Sequence, residues 1–433
     1  MTTMANTIPF VGRIAARHGK DIIARDRARA QKMLEAVRPH GPLGVHELRK
    51  RHGNHHHHHG GREEASRHHH TGGGTTGSGT GTGSGGSTGT APSSSGTGVD
   101  VTDAGVTYTA AVGVGSPATN YTLLIDTGSS NTWVGADQKY VKTSTSKSTG
   151  DSVNVSYGSG SFSGTEFTDT VTLGPSLVIQ NQSIGVASQA QGFQGVDGIL
   201  GVGPTDLTQG TVSGQSMVPT VVDNLFSQGT ITSDSLGIFY EPTTTEGAIN
   251  GELTFGGIDS SKITGDVTFV PITKTSPASN YWGIDQDLAY GQGTSLLSGS
   301  AGIVDTGTTL LMIATDAFQA YQKATGATMD QATGLLKLTE AQFNKLQSLF
   351  FTIGGTTFEL TANAQIWPRS QNAVLGGDDS SIYLVVADMG SPSGQGLDFI
   401  NGFAFLQRFY SVFDTGNAQV GLATTSFTDA TTN

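Results

Sequence analysis

The 433-residue chain predicts an all-β protein built from two related halves, and three observations carry that prediction. Glycine is abundant, at 62 residues, while only 13% of residues are charged, about half the share in ordinary globular domains. Short alternating runs rich in Val, Thr, Phe and Tyr recur with turn residues at a spacing of roughly eight to twelve positions. A distinctive peptide occurs twice: Leu124-Ile125-Asp126-Thr127-Gly128-Ser129-Ser130 and Ile303-Val304-Asp305-Thr306-Gly307-Thr308-Thr309.

Residues 1 to about 53 alternate apolar stretches with basic clusters. Ile8-Pro9-Phe10-Val11 reads as a strand, and 22–37 predicts an amphipathic helix through Ile22, Ile23, Met33, Leu34 and Val37 that Pro39 stops. The tract 55–70 is His-rich and of low complexity, a spacer or a metal-capturing segment. Residues 71–98 are almost wholly Gly, Ser and Thr; such a composition buries too little apolar surface to offset chain entropy, so this reads as a flexible, cuttable linker. Beyond it, strands are expected at 107–114, 122–125, 152–157, 170–173 and 177–179, and helices at 315–324 and 339–349. The division is thus 1–70 basic head, 71–98 linker, 99–271 first lobe and 272–433 second lobe.

Composition excludes several chemistries. All 12 histidines precede residue 71 and the chain has no Cys, so the body cannot build a Ser-His-Asp triad, a Cys-His pair or a His-ligated zinc site. The head carries 13 Lys+Arg against 6 Asp+Glu, the body 10 against 29. A net-negative body is a poor nucleic-acid partner, whereas a basic head can dock onto it by long-range attraction. No run of about 18 apolar residues suggests a membrane span, and the N-terminus lacks the apolar core of a secretory signal.

Carboxylates are left to do the chemistry. A carboxylate at the end of a buried strand is costly unless hydrogen-bonded, shared or used, and here the arrangement is duplicated. A downstream segment, Val196 to Gly201 after Asp126 and Asp398-Phe399-Ile400-Asn401-Gly402 after Asp305, extends the repeat. A third Asp-Thr-Gly, at Asp414, is followed by Asn417 between two strand-like runs and reads as a hairpin turn.

The paired hydrophobic-Asp-Thr-Gly-Ser/Thr motifs, each with its downstream apolar segment, resemble the pepsin-like aspartic proteases, most of all their cysteine-free fungal members. The likeness spans about residues 99–427. It implies a bilobal all-β fold with a few short helices and a central cleft, and an aspartic endopeptidase working in acid without cofactor or metal. Asp126 and Asp305 would then be the catalytic pair. Thr127 and Thr306 would brace the two loops, and Ser129 and Thr308 would orient the carboxylates. Gly128 and Gly307 would let backbone approach them. Tyr157-Gly158-Ser159 would be the tip of a flap over substrate, with Trp133 holding Tyr157 and Ile199 facing substrate. Ser159 stands where relatives accepting lysine carry an acid, implying apolar or aromatic residues before the scissile bond.

Two positions depart from the family pattern: Asn401 replaces an aliphatic residue, and Phe403 stands where many relatives have Asp. The head resembles a zymogen prosegment, so the expected partners are polypeptide substrates and the chain's own head, with no nucleic acid and no membrane, in a monomer that is secreted or vacuolar. Asn120, Asn154 and Asn181 begin glycosylation sequons that matter only on export. The competing readings are a pepsin-fold protein that binds peptides without cutting them, and a two-carboxylate glycosidase, which would not require matched Asp-Thr-Gly loops.

Overall fold

The computed structural model describes residues 6–14, 18–35, 106–242 and 249–433; the His-rich tract and the Gly/Ser/Thr stretch 71–98 lie outside the described residues. Strands dominate. The first half holds β1 (Asn6–Ile14), helix α1 (Gly19–Glu35), β2 (Val106–Val114), β3 (Thr119–Asp126), β4 (Trp133–Val134) and β5 (Lys147–Tyr157). It continues with β6 (Gly160–Gly174), β7 (Leu177–Gln191), β8 (Gly198–Gly201), β9 (Ser235–Tyr240) and β10 (Ile249–Phe255).

These strands form one 13-stranded sheet with Thr268–Pro271 and the C-terminal pair Phe409–Asp414 and Gln419–Thr424. Its order from β9 onward is β9, β10, β1, β2, β3, β8, β4, β7, β6, β5. β3 shows why the sequence takes this form: Tyr121, Leu123 and Ile125 are buried while Asn120 and Thr122 are exposed, the period of two that a half-buried strand demands. The second half builds a 7-stranded sheet that includes Gly283–Tyr290, Thr294–Val304, Phe399–Asn401 and Leu311–Ile313. One continuous apolar core links the two, running from Phe10 and Leu123 to Ile303 and Phe409.

The repeat seen in the sequence is a repeat of topology. β3 runs parallel to β8, with Ile125 beside Leu200 and Asp126 beside Gly201. Thr294–Val304 likewise runs parallel to Phe399–Asn401, with Ile303 beside Ile400 and Val304 beside Asn401. Each Asp therefore leaves the end of an interior strand, wedged against a second short strand.

The head strand β1 is an interior member of the large sheet, antiparallel to both β10 and β2. Its Phe10 is buried edge-on to Tyr240, with ring centroids 4.9 Å apart, and lies over Gly251, where any side chain would collide with the ring. The helix expected at 315–324 is found as Thr315–Thr325, ended by Gly326 at φ 72°, a left-handed cap that glycine adopts without strain. The helix expected at 339–349 is shorter than predicted. Only Glu340–Phe343 is helical, and from Leu349 the chain is a strand because Leu349, Phe351 and Ile353 alternate into the core. The third Asp-Thr-Gly is a hairpin turn, with Asn417 N donating to Asp414 Oδ1 at 3.1 Å.

Candidate active site

The two Asp-Thr-Gly loops meet as near mirror copies. Gly128 N and Ser129 Oγ donate to Asp126 at 2.9 and 2.6 Å, and Gly307 N and Thr308 Oγ1 donate to Asp305 at 3.0 and 2.7 Å. Between the loops, Thr127 N donates to Thr306 Oγ1 at 2.9 Å and Thr306 N to Thr127 Oγ1 at 3.0 Å. Both threonines are buried, so these exchanged bonds act without competing water and lock the loops in register. A Cβ on Gly128 would lie 2.7 Å from Asp305 Oδ1, and one on Gly307 would lie 2.8 Å from Asp126 Oδ1. Each glycine thus makes room for the other loop's carboxylate.

The feature missed by sequence reasoning is what fills the space between these carboxylates. Arg29 of α1 donates from Nη2 to Asp126 Oδ1 at 2.5 Å and to Asp305 Oδ1 at 2.9 Å, and from Nε to Asp305 Oδ2 at 2.6 Å. Its side chain is 13% exposed, and those of Asp126 and Asp305 are 6% and 0% exposed. Burial alone would raise the Asp305 carboxyl, but the charge and hydrogen bonds of Arg29, with the Thr308 and Gly307 donors, hold it below its ordinary value. Burial likewise opposes the charge on Arg29, yet the two carboxylates raise its pKa well above the usual one. The basic run Arg25, Arg27, Arg29 was legible as a cationic helix; which arginine reaches the pair depends on how the helix docks.

The residues expected to form a flap converge on the same place. β5 ends at Tyr157 and β6 returns from Gly160, so Gly158 and Ser159 form the hairpin tip. Trp133 Nε1 donates to Tyr157 OH at 3.1 Å, and the Trp133 ring stacks on Phe162 at 4.2 Å. Burial, then the Asp126 charge, pushes the Tyr157 phenol far up, so it stays neutral. Gly158 lies against the Ala28 carbonyl, where a Cβ would come within 2.6 Å, so the tip closes directly on α1. Behind it a small cavity of about 40 Å³ is lined by Leu124, Tyr157, Ser159, Phe193 and Ile199 with Arg25. On the other side of Arg29 about 400 Å³ of cleft stays open between Met33, Gly128, Ser129, Tyr157 and Tyr281.

Of the two departures, Phe403 is packed and the Asn401 amide is half satisfied. Asn401 is fully buried; its Nδ2 donates to Gln286 Oε1 at 2.9 Å while its Oδ1 has no hydrogen-bond partner among the described residues, and its backbone carbonyl accepts from Asp305 N at 3.2 Å. The backbone of residue 401 thus supports the second loop, while its side-chain amide is held by Gln286, which carried no sequence signal for that task. Phe403 packs 5.0 Å from the Tyr108 ring, within the aromatic cluster that also receives Phe10. Among the described residues, no group of three or more His, Asp or Glu is placed to hold a metal ion, and no helix is long and apolar enough to cross a membrane.

Comparison with known proteins accords with this geometry. The family model "Eukaryotic aspartyl protease" matches residues 107–425. The chain is 67% identical over 337 residues to polyporopepsin of Irpex lacteus, covering 77% of this chain and 99% of that protein. It is 31% identical over 334 residues to pepsin A of Suncus murinus, covering 73% and 80%. A crystal structure of the aspartic proteinase from Irpex lacteus superposes with a TM-score of 0.74 at 68% identity, over 76% of this chain and 96% of that one. Two matched Asp-Thr-Gly loops cross-braced in one buried site, carried on a chain this similar to these enzymes, make the protein a member of the eukaryotic aspartyl protease family and an aspartic endopeptidase.

Proposed function

We propose that Asp126 and Asp305 are the catalytic pair and that the head is their intramolecular inhibitor, so that the chain is a zymogen. The observation that carries this reading is the single guanidinium hydrogen-bonded to both carboxylates. Freed of Arg29, two adjacent carboxyls cannot both ionise easily and share one proton. The ionised member takes a proton from a water attacking the peptide carbonyl; the protonated member stabilises the developing oxyanion, and a proton passes to the leaving nitrogen. Arg29 occupies the position that water needs, so the docked head blocks reagent as well as substrate.

In this reading Thr127 and Thr306 fix the loops, Ser129 and Thr308 orient the carboxylates, and Gly128 and Gly307 bring backbone close to substrate. Tyr157, Gly158 and Ser159 close over the peptide, Trp133 steadies Tyr157, and Ile199 lines the pocket before the scissile bond. That pocket's walls, Leu124, Phe193 and Ile199, suit an apolar side chain. The lobes are 99–271 and 272–433, joined through the shared sheet, and the linker 71–98 is where maturation cuts. The setting we assign is an acidic secreted or vacuolar one, with the enzyme acting as a monomer on polypeptides.

Acid supplies the release. Asp305 has its carboxyl pKa lowered while Arg29 is docked, so the bridge stabilises docking at neutral pH and that contribution is lost as pH falls through the lowered value. The test is cleavage of a quenched peptide between pH 3 and 5 by full-length chain, chain lacking residues 1–70, and Asp126→Asn. Activity that appears on head removal and vanishes with the substitution or a statine-type inhibitor is the expected result. Inactivity of the headless protein would transfer the weight to a binding role.

A further inference from the structure

The cleft-facing side of α1 carries Arg25, Asp26 and Arg29 within little more than one turn, and the two arginines are interchangeable by position. Arg25 and Arg29 are four residues apart, so they lie on one face, separated by about 6 Å of helix rise. A helix displaced by that one turn would deliver Arg25 to the carboxylates in place of Arg29. Nothing in the chemistry of the aspartates distinguishes the two guanidiniums.

Asp26 does distinguish them. Its side chain is completely buried, and it accepts from Leu310 N at 2.8 Å and from Thr309 N at 3.1 and 3.2 Å. Those amides follow the second Asp-Thr-Gly loop directly, so the contact is tied to the position of Asp305 itself. In the displaced register Ile22 would face these amides, because it precedes Asp26 by four residues. Asp26 would then lose both donors while staying in the cleft, and the amides would lose their acceptor, a penalty made large because all of these groups are buried away from water. The helix start adds a weaker hold, with Gly19 N donating to Leu375 O at 2.9 Å.

We propose that Asp26 is a positioning residue that sets the register of the inhibitory helix, selecting Arg29 rather than Arg25 as the plug between Asp126 and Asp305. This rests on the reading of the head as inhibitor. It explains why a fully buried acid sits between the two arginines of this helix. It also means that the inhibitor has a latent second register that Asp26 forbids.

The test is the initial rate of peptide cleavage by uncut full-length chain at mildly acidic pH. Gels verify that the chain is intact, and titration with a statine-type inhibitor after complete head removal verifies equal numbers of folded sites. Arg29→Ala is expected to raise the initial rate about tenfold or more, since Arg25 cannot step in while Asp26 holds the register. Adding Asp26→Ala should lower the rate again by about tenfold as Arg25 slides into place, and adding Arg25→Ala as well should restore it. A purely structural loss of docking predicts the opposite order, with Asp26→Ala raising activity further. If the Asp26→Ala/Arg29→Ala chain is as active as Arg29→Ala alone, or more so, the register proposal is overturned. If Arg29→Ala leaves the uncut chain inhibited, the inhibitory role of Arg29 itself fails, a result the Asp26 arm plays no part in.

Discussion

The two Asp-Thr-Gly loops are nearly identical, while the halves that carry them differ in how they hold their other acids. In the first half the shifts run both ways: burial pushes four carboxyls up, Asp26 to about 6, Glu166 to about 7, Asp234 to about 8 with the help of Asp223 and Asp414, and Glu252 to about 7 with the help of Asp259, while hydrogen-bond donors overcome burial at Asp169 and Asp259 and hold those two below the ordinary value. In the second half every resolved carboxyl shift is downward. Donors from Ser393 lower Asp316, those from Thr333 oppose burial at Asp330, and Ser380 and Ser381 lower Asp378. The duplicated site is thus set in one half that holds four acids reluctant to ionise beside two that ionise readily, and another whose shifted acids all ionise readily. The lesson is that site symmetry constrains only a few hydrogen bonds, and the surrounding electrostatics are free to diverge.

If the loops are equivalent in function, replacing either acid should be equally severe. Asp126→Asn and Asp305→Asn are each expected to lower kcat by on the order of a thousandfold or more. A tenfold or smaller loss from one of them, measured on headless protein against a quenched peptide, would break the symmetry of the site.

The difference between the halves has a pH sign. A carboxyl whose folded pKa is raised costs nothing while protonated in both states and destabilises as pH rises from its unfolded value, near 4, through the raised one. The first half should therefore lose stability between about pH 4 and 8, with the fully buried Glu166 responsible for up to about 3 kcal/mol. Thermal unfolding should show a lower midpoint at pH 8 than at pH 4, and hydrogen exchange at pH 8 should open β6 and β7 before Thr294–Val304. Glu166→Gln should flatten the decline. A midpoint that rises across this range, or opening that begins in the second half, would reverse the comparison.

Smaller effects probe the brace between the loops. Thr127→Val and Thr306→Val each leave a buried backbone N–H without its acceptor, for about 1–3 kcal/mol in unfolding free energy. Because their bonds are exchanged, the double variant should cost less than the sum in a mutant cycle; strict additivity would mean the loops are held by something else. The mildest change concerns the one polar substitution beneath the second loop. Gln286→Leu should destabilise by about 1–2 kcal/mol by stranding the Asn401 amide, and Gln286→Leu/Asn401→Leu should recover most of it, since Asn401 occupies the register position of Leu200 in the first half. Failure of the pair to recover would assign Asn401 a role beyond support.

Much was legible before any coordinates because the information is local. Strand alternation in β3, the Gly158-Ser159 hairpin tip and the helix at 315–324 each depend on a few neighbouring residues. The over-long helix at 339–349 failed for the complementary reason: Leu349-Phe350-Phe351 is an apolar run that fits either period, and pairing with Gly283–Tyr290 chose the strand. Gln286 and Asn401, 115 positions apart, could be matched only by the sheet that brings them together.

The amino-acid order by itself determined the chemistry that could occur: no Cys, no His beyond residue 70, and two Asp-Thr-Gly loops following buried strands left paired carboxylates as the means of catalysis. It also determined that a basic head faces an acidic body. Only the tertiary structure decided that Arg29, among the thirteen cations of that head, lies between the carboxylates, and that Asp26 anchors the helix beside them. The reason is physical. Net charge acts over a Debye length and needs no register, whereas a hydrogen bond between buried ions requires placement within a few tenths of an ångström, which the docking of one folded surface on another supplies.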